Sequence, residues 1–192
     1  MRGRAACLAA VVVATTAAAA PAVYRTGPPP AHTGGFGEPH CGECHFDAPV
    51  NDPGGSLDVR APASYRTGKT YPLVVVLRDP ELKTAGFQLA TRFADGDQAG
   101  TQAGSLRGPD GSTQTVTGDA GVAYVTHTES GVETEEPGMA RWELEWMAPD
   151  TVAPVAVHVT ANAANDDRSE FGDRVYLSCV VIGRDAPRPS CD

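Results

Sequence analysis

The chain has 192 residues and carries 24 acidic against 15 basic side chains, a formal net charge of −9. Outside its first few residues it has no basic cluster, so neither nucleic acid nor an anionic membrane surface is expected as a partner. The length suits one domain with a real core once the N-terminus is processed, and the 5 cysteines raise the question of redox compartment.

Met1 to Arg4 form a basic n-region, Ala5 to Ala20 an apolar run, and Ala20-Pro21-Ala22 a cleavage site of the AxA kind. Residues 1–22 therefore read as a signal peptide, with the mature chain starting near Val23. This implies export to the periplasm, the cell envelope or the outside, and Cys7 leaves with the signal. No later stretch approaches the ~20 apolar residues of a membrane span, so none is expected in the mature chain.

Residues 23–53 are rich in Pro and Gly, show no period of 2 or 3.6, and read as irregular structure wrapped around something. Within them, Cys41-Gly42-Glu43-Cys44-His45 spell CxxCH. This is the pattern of c-type haem attachment: two thiols at this spacing reach the two vinyl groups of one porphyrin, and the following imidazole binds the iron from below. A single covalent haem c is the expected cofactor, held by Cys41 and Cys44 with His45 as proximal ligand. Two other readings compete. One is a Cys41–Cys44 disulfide in a cofactor-free extracellular binding or adhesion module; the other is half of a zinc site without its second CxxC.

From Gly55 the pattern becomes short alternating segments separated by turns, the mark of an antiparallel sandwich or barrel over residues 54–183. Tyr71, Leu73, Val75 and Leu77 share one face, as do Ala85, Phe87, Leu89 and Phe93. Trp142, Leu144 and Trp146 oppose Arg141, Glu143 and Glu145. Val155, Val157 and Val159 follow, and Val175, Leu177, Cys179 and Val181 close the set. Further strands are predicted near 55–60, 113–117 and 122–128, with no long helical stripe. After processing, Cys179 and Cys191 are left as a possible disulfide tying the tail 184–192 to the final strand; the alternative is a buried thiol at Cys179.

The sixth iron position has several candidates. His158 lies opposite its strand's apolar face and reads as a surface residue, and His40 is too close to Cys41 to reach the far face of a porphyrin. Met139 and Met147 flank a buried strand and read as core filler. His32 lies in the motif's own segment and could fold over the haem. His127 ends a strand, where a rigid sheet edge could present its ring. The residues alone leave His32 and His127 equal, and an open sixth site would instead make the protein a haem-based sensor of small ligands.

The stretches His32 to Pro39 followed by CxxCH, Asn51 to Gly55, Ala85 to Leu89, Tyr124 to Thr128, Trp142 to Pro149, Val159 to Asn165 and Gly172 to Tyr176 resemble the choice-of-anchor V family. That family is similar to the Reeler domain. The resemblance runs from about His32 to Val181. It implies an all-β fold, an immunoglobulin-like (Reeler-type) antiparallel β-sandwich preceded by an irregular haem-binding segment. It also implies His127 as distal ligand, because in the family the CxxCH recurs with a pair matching His127-Thr128 while a histidine matching His32 is often replaced. Members often carry a C-terminal anchor; none is read in the residues up to Asp192.

Asp166, Asp167, Glu170 and Asp173 form an acidic loop that could bind calcium, although a solvated turn is the commoner use of such a loop. No GxSxG, P-loop or HExxH is present, so hydrolase or kinase chemistry has no support. The sequence thus points to a non-enzymatic electron carrier; it specifies neither the redox partner protein nor the oligomeric state.

Overall fold

The computed structural model describes residues 24–134 and 136–183. The expected signal peptide and C-terminal tail, including Cys191, lie outside the described residues. The described residues form nine strands: β1 (Ser56–Arg60), β2 (Thr70–Arg78), β3 (Thr84–Phe93), β4 (Ser105–Arg107), β5 (Thr113–Thr117), β6 (Ala123–His127), β7 (Met139–Met147), β8 (Val155–Ala164) and β9 (Arg174–Ile182). They form a four-stranded sheet in the order β1-β2-β7-β4 and a five-stranded sheet in the order β5-β6-β3-β8-β9, with antiparallel pairing throughout. The fold is the predicted all-β sandwich. Among the described residues no helix is long and apolar enough to cross a membrane.

The period-2 alternation dictates the core. On β7, Trp142, Leu144 and Trp146 turn inward while Arg141 and Glu143 stay exposed. They meet Phe87 and Leu89 of β3 and Val157 and Val159 of β8 across the gap between the sheets. The Phe87 and Trp142 rings stack with centroids 4.4 Å apart. Each large side chain buried here contributes about 1.5–3 kcal/mol.

The outer side of the five-stranded sheet is also covered. Gln88 and Arg92 on β3 and His158, Thr160 and Asn162 on β8 are all buried, because the Pro/Gly-rich segment from Tyr24 to Pro53 lies across them. Having no ladder of its own, this strap is tied down by side chains. Gln88 donates to the Pro29 carbonyl at 2.8 Å and accepts from the His32 amide at 2.7 Å. Asn51 donates its amide to the Val175 carbonyl at 2.9 Å and accepts from the Leu177 amide at 2.8 Å. Glu38 reaches buried Arg92 in an ion pair and accepts from Thr33 Oγ1 at 2.6 Å and from the Tyr124 hydroxyl at 2.5 Å. Direct polar contacts with the sheet therefore order the segment that reads in the sequence as irregular structure wrapped around something.

The structure departs from the sequence reading at four places, the first two of them under the strap. His158 is buried rather than at the surface, beneath Gly35 and edge-on to Phe36 at 5.2 Å. On β9 it is Tyr176, Val180 and Ile182 that meet the core between the sheets, while Val175 and Leu177 face the strap, since this strand is apolar on both faces. β6 is an interior strand, so His127 does not sit on a sheet edge. Met147, read as core filler, is exposed on β7. Cys179 is disulfide-bonded.

Candidate cofactor site

The CxxCH begins as a short 3₁₀ turn over Cys41–Glu43. His40 caps it, its Nδ1 accepting from the Gly42 amide at 3.0 Å, and the amides of Cys44 and His45 both return to the Cys41 carbonyl. A Cβ at Gly42 would come within 2.6 Å of His40 Cε1 and would push the capping ring aside. The turn is docked on β8 by the Cys41 amide, 3.5 Å from Thr160 Oγ1.

His45 leaves this turn towards the end of β8. Its Nδ1 lies 2.8 Å from Oδ2 of Asp173, a carboxylate buried just before β9. That engagement leaves Nε2 as the ring nitrogen open to a ligand, and among the described residues no hydrogen bond engages it.

His127 is held from the other side. The β3–β6 ladder runs only from Gln88↔Thr126 to Ala90↔Tyr124. Beyond it the Phe87 amide donates to His127 Nδ1 at 3.0 Å, so the ring takes the place of the next ladder acceptor. Burial, only partly opposed by backbone hydrogen bonds, pushes the His127 pKa below its ordinary value, which keeps the imidazole neutral at physiological pH.

These pieces border one cavity of about 460 Å³ on the outer face of the five-stranded sheet. Cys41, Cys44, His45, His127 and His32 all line it, although Cys41 and His127 come from elements far apart in the chain. The volume falls in the range of about 300–1,000 Å³ typical of organic cofactor sites. Pro28, Pro29, Gly86, Phe46 and Val132 supply apolar wall, and Arg25 and Arg168 reach it as cations beside the carboxylates of Asp166, Glu170 and Asp173. A largely apolar cavity lined by two thiols and by the imidazoles of His45 and His127, with His32 and His40 beside them, fits a covalently held haem.

The competing chemistries fit less well. Cys41 and Cys44 are free thiols, not a disulfide. Burial pushes the Cys41 thiol up to about 11, the reverse of an activated redox cysteine. Among the described residues no three His, Cys, Asp or Glu side chains converge on a metal-sized point, which leaves neither zinc nor calcium a ready-made site. The acidic loop disperses instead: Asp173 accepts from Asn162 and Asn165, and Asp167 from the Ser169 amide.

Two participants escaped the sequence reading. Asp173 was grouped with a calcium loop, and Asn162 lies on the face of β8 assigned to solvent. The one available signal was the alternation of β8, which puts Asn162, Thr160 and His158 on a common face. His32 lines the cavity but its Nδ1 pairs locally with the Pro30 carbonyl at 3.0 Å.

No family model matches the chain, and no curated protein matches it. Among solved structures it is similar to the human F-spondin reeler domain (fragment 1), at 22% identity and TM-score 0.41, covering 65% of this chain and 80% of that one. It is also similar to a cohesin module from a Clostridium perfringens family 33 glycoside hydrolase, at 10% identity and TM-score 0.48, covering 67% and 95%. The bacterial hydrophobin BslA follows at 11% identity and TM-score 0.37, covering 71% and 97%. These scores are low, and the sandwich assignment rests on the strand pairing itself.

Proposed function

We propose that the protein is an exported monohaem c-type cytochrome-like electron carrier. The observation that carries this reading is the convergence of Cys41, Cys44, His45 and His127 on one cavity. Cys41 and Cys44 would hold the porphyrin by thioethers, His45 would be the proximal ligand and His127 the distal one. A bound haem would supply one-electron exchange at its iron.

The chain's own residues set the conditions for that chemistry. The strap and the five-stranded sheet enclose the cavity between them, and Pro28, Pro29 and Val132 keep part of its wall apolar. The ring of His45 is fixed through Nδ1 by Asp173, and His127 is kept neutral by burial. Cys44 and Phe46 are exposed, so the attachment end of the cavity meets solvent, where a redox partner protein could approach. His45 and His127 on one cavity favour electron transfer over small-ligand sensing, which needs an open sixth position. Two free thiols weigh against the adhesion module with a Cys41–Cys44 bridge.

The test is export from a host competent in cytochrome maturation. The reading expects a red protein with a sharp reduced α-band that is lost when Cys41 and Cys44 are both changed to serine. A band that survives the double change, or never forms, refutes covalent attachment.

A further inference from the structure

We propose that Asp173 is a positioning residue that fixes the tautomer of His45 and strengthens it as an electron donor to iron, with Asn162 tempering the effect. This rests on the reading of CxxCH as a haem attachment site and goes beyond it, because it assigns control of the reduction potential to two residues outside the motif.

Asp173 is 1% exposed. Its Oδ1 accepts from the Asn165 amide at 3.1 Å, and its Oδ2 accepts from Asn162 Nδ2 at 2.9 Å and faces His45 Nδ1 at 2.8 Å. Arg174, the next residue, turns away to Asp79, with Nη1 at 3.0 and 3.2 Å from its two carboxylate oxygens. A buried carboxylate is expensive unless its charge is used or paired. Here the cation next in sequence is committed elsewhere, and the charge bears on the imidazole. A carboxylate on Nδ1–H polarises the ring and raises electron density at the opposite nitrogen, the arrangement that makes a histidine a stronger metal ligand. It also forces the proton onto Nδ1 and leaves Nε2 for the iron.

Asn162 acts on the same oxygen. Its Nδ2 donates to Oδ2, the atom His45 faces, and also lies 3.3 Å from His45 Nδ1 itself, while among the described residues its own Oδ1 is buried with no hydrogen-bond partner. Asn162 is thus held in an orientation that sacrifices one acceptor, and its amide draws charge from Oδ2 that would otherwise go to His45.

The two residues therefore make opposite predictions for the full-length, haem-loaded protein. Asp173→Asn weakens the donor and favours reduced iron; the one-electron equilibrium moves about tenfold, which corresponds to a potential higher by ~59 mV. Asn162→Ala removes the competing amide, strengthens the carboxylate's hold on His45 and lowers the potential. A merely structural role would move both variants in one direction. Spectroelectrochemical titration of wild type and both variants decides. Opposite shifts support the proposal, and shifts of the same sign, or none, overturn it. Should Asp173→Asn fail to fold, Asn162→Ala decides alone: a lowered potential supports the proposal, and an unchanged or raised one overturns it. A wild-type protein without haem overturns the parent reading and this inference with it, whereas a haem-bearing wild type with unmoved variants overturns this inference only.

Discussion

The main-chain carbonyl of Tyr24 lies 3.0 Å from Nε2 of His127, the ring nitrogen that a sixth iron ligand would use. With Nδ1 accepting from the Phe87 amide, the neutral ring carries its proton on Nε2 and donates it to Tyr24. Coordination needs that proton on Nδ1 instead, where the Phe87 carbonyl at 3.3 Å can accept it, and it needs Tyr24 to give way. His127→Ala in the haem-loaded protein is therefore expected to convert a low-spin visible spectrum to high-spin, while His32→Ala leaves it low-spin. The reverse pattern would move the sixth ligand to His32.

Gly86 gives His127 its room. A Cβ at this position would lie 2.6 Å from Cε1 of the ring, closer than packing allows. Gly86→Ala should cost about 1–3 kcal/mol in urea unfolding and add a high-spin fraction to the haem spectrum by displacing the imidazole. An alanine variant matching wild type in both measurements would show that the ring does not depend on this contact.

Glu38 fastens the strap through its ion pair with Arg92, a guanidinium that is 3% exposed. Desolvation opposes its charge, but hydrogen bonds from Thr33 and Tyr124 and the charge of Arg92 prevail and hold its pKa below the ordinary 4.5. Glu38→Gln leaves that cation uncompensated and should destabilise the fold by about 3 kcal/mol. Because the folded value is depressed, the contribution of Glu38 is complete above pH 4.5 and disappears as the pH falls through the folded value. A loss below about 1 kcal/mol at neutral pH would mean the strap is held by other contacts.

His158 should give the protein a second, higher acid-sensitive window. Burial first, then the charge of Arg92, lower its pKa to about 4, against an opposing pull from Glu38, and among the described residues its buried Nδ1 has no hydrogen-bond partner. In the unfolded chain it titrates at 6.5. The unfolded state thus takes up a proton first as the pH falls, so stability is lost between about pH 6.5 and 4, by roughly 3 kcal/mol in all. His158→Leu should flatten the stability profile in that window and leave the Glu38 step below it. An unchanged slope in the leucine variant would assign the window to other groups.

The inward faces of β2, β3, β7 and β8 were legible because apolar side chains recur at every second position, most plainly at Trp142, Leu144 and Trp146. The attachment motif was legible because its chemistry is local: Cys41 to His45 needs no tertiary contact to be read. What could not be read was the second covered face. A strap without periodicity gives no sign of where it lies, so His158 looked like a surface residue and β9 was turned the wrong way. The Asp173–His45 pair was hidden for the same reason, since it joins the strap to the start of a distant strand. β4, with only Ser105–Arg107, is too short for alternation to show.

The central claim is that the cavity beside Cys41 and Cys44 holds a covalent haem. The most direct measurement is the intact mass of full-length protein exported by a host competent in cytochrome maturation, read together with its haem stain. The account predicts a mass gain of one haem, localised to the peptide carrying Cys41 and Cys44. Colourless protein of unmodified mass, with those two thiols free or bridged to each other, would contradict it.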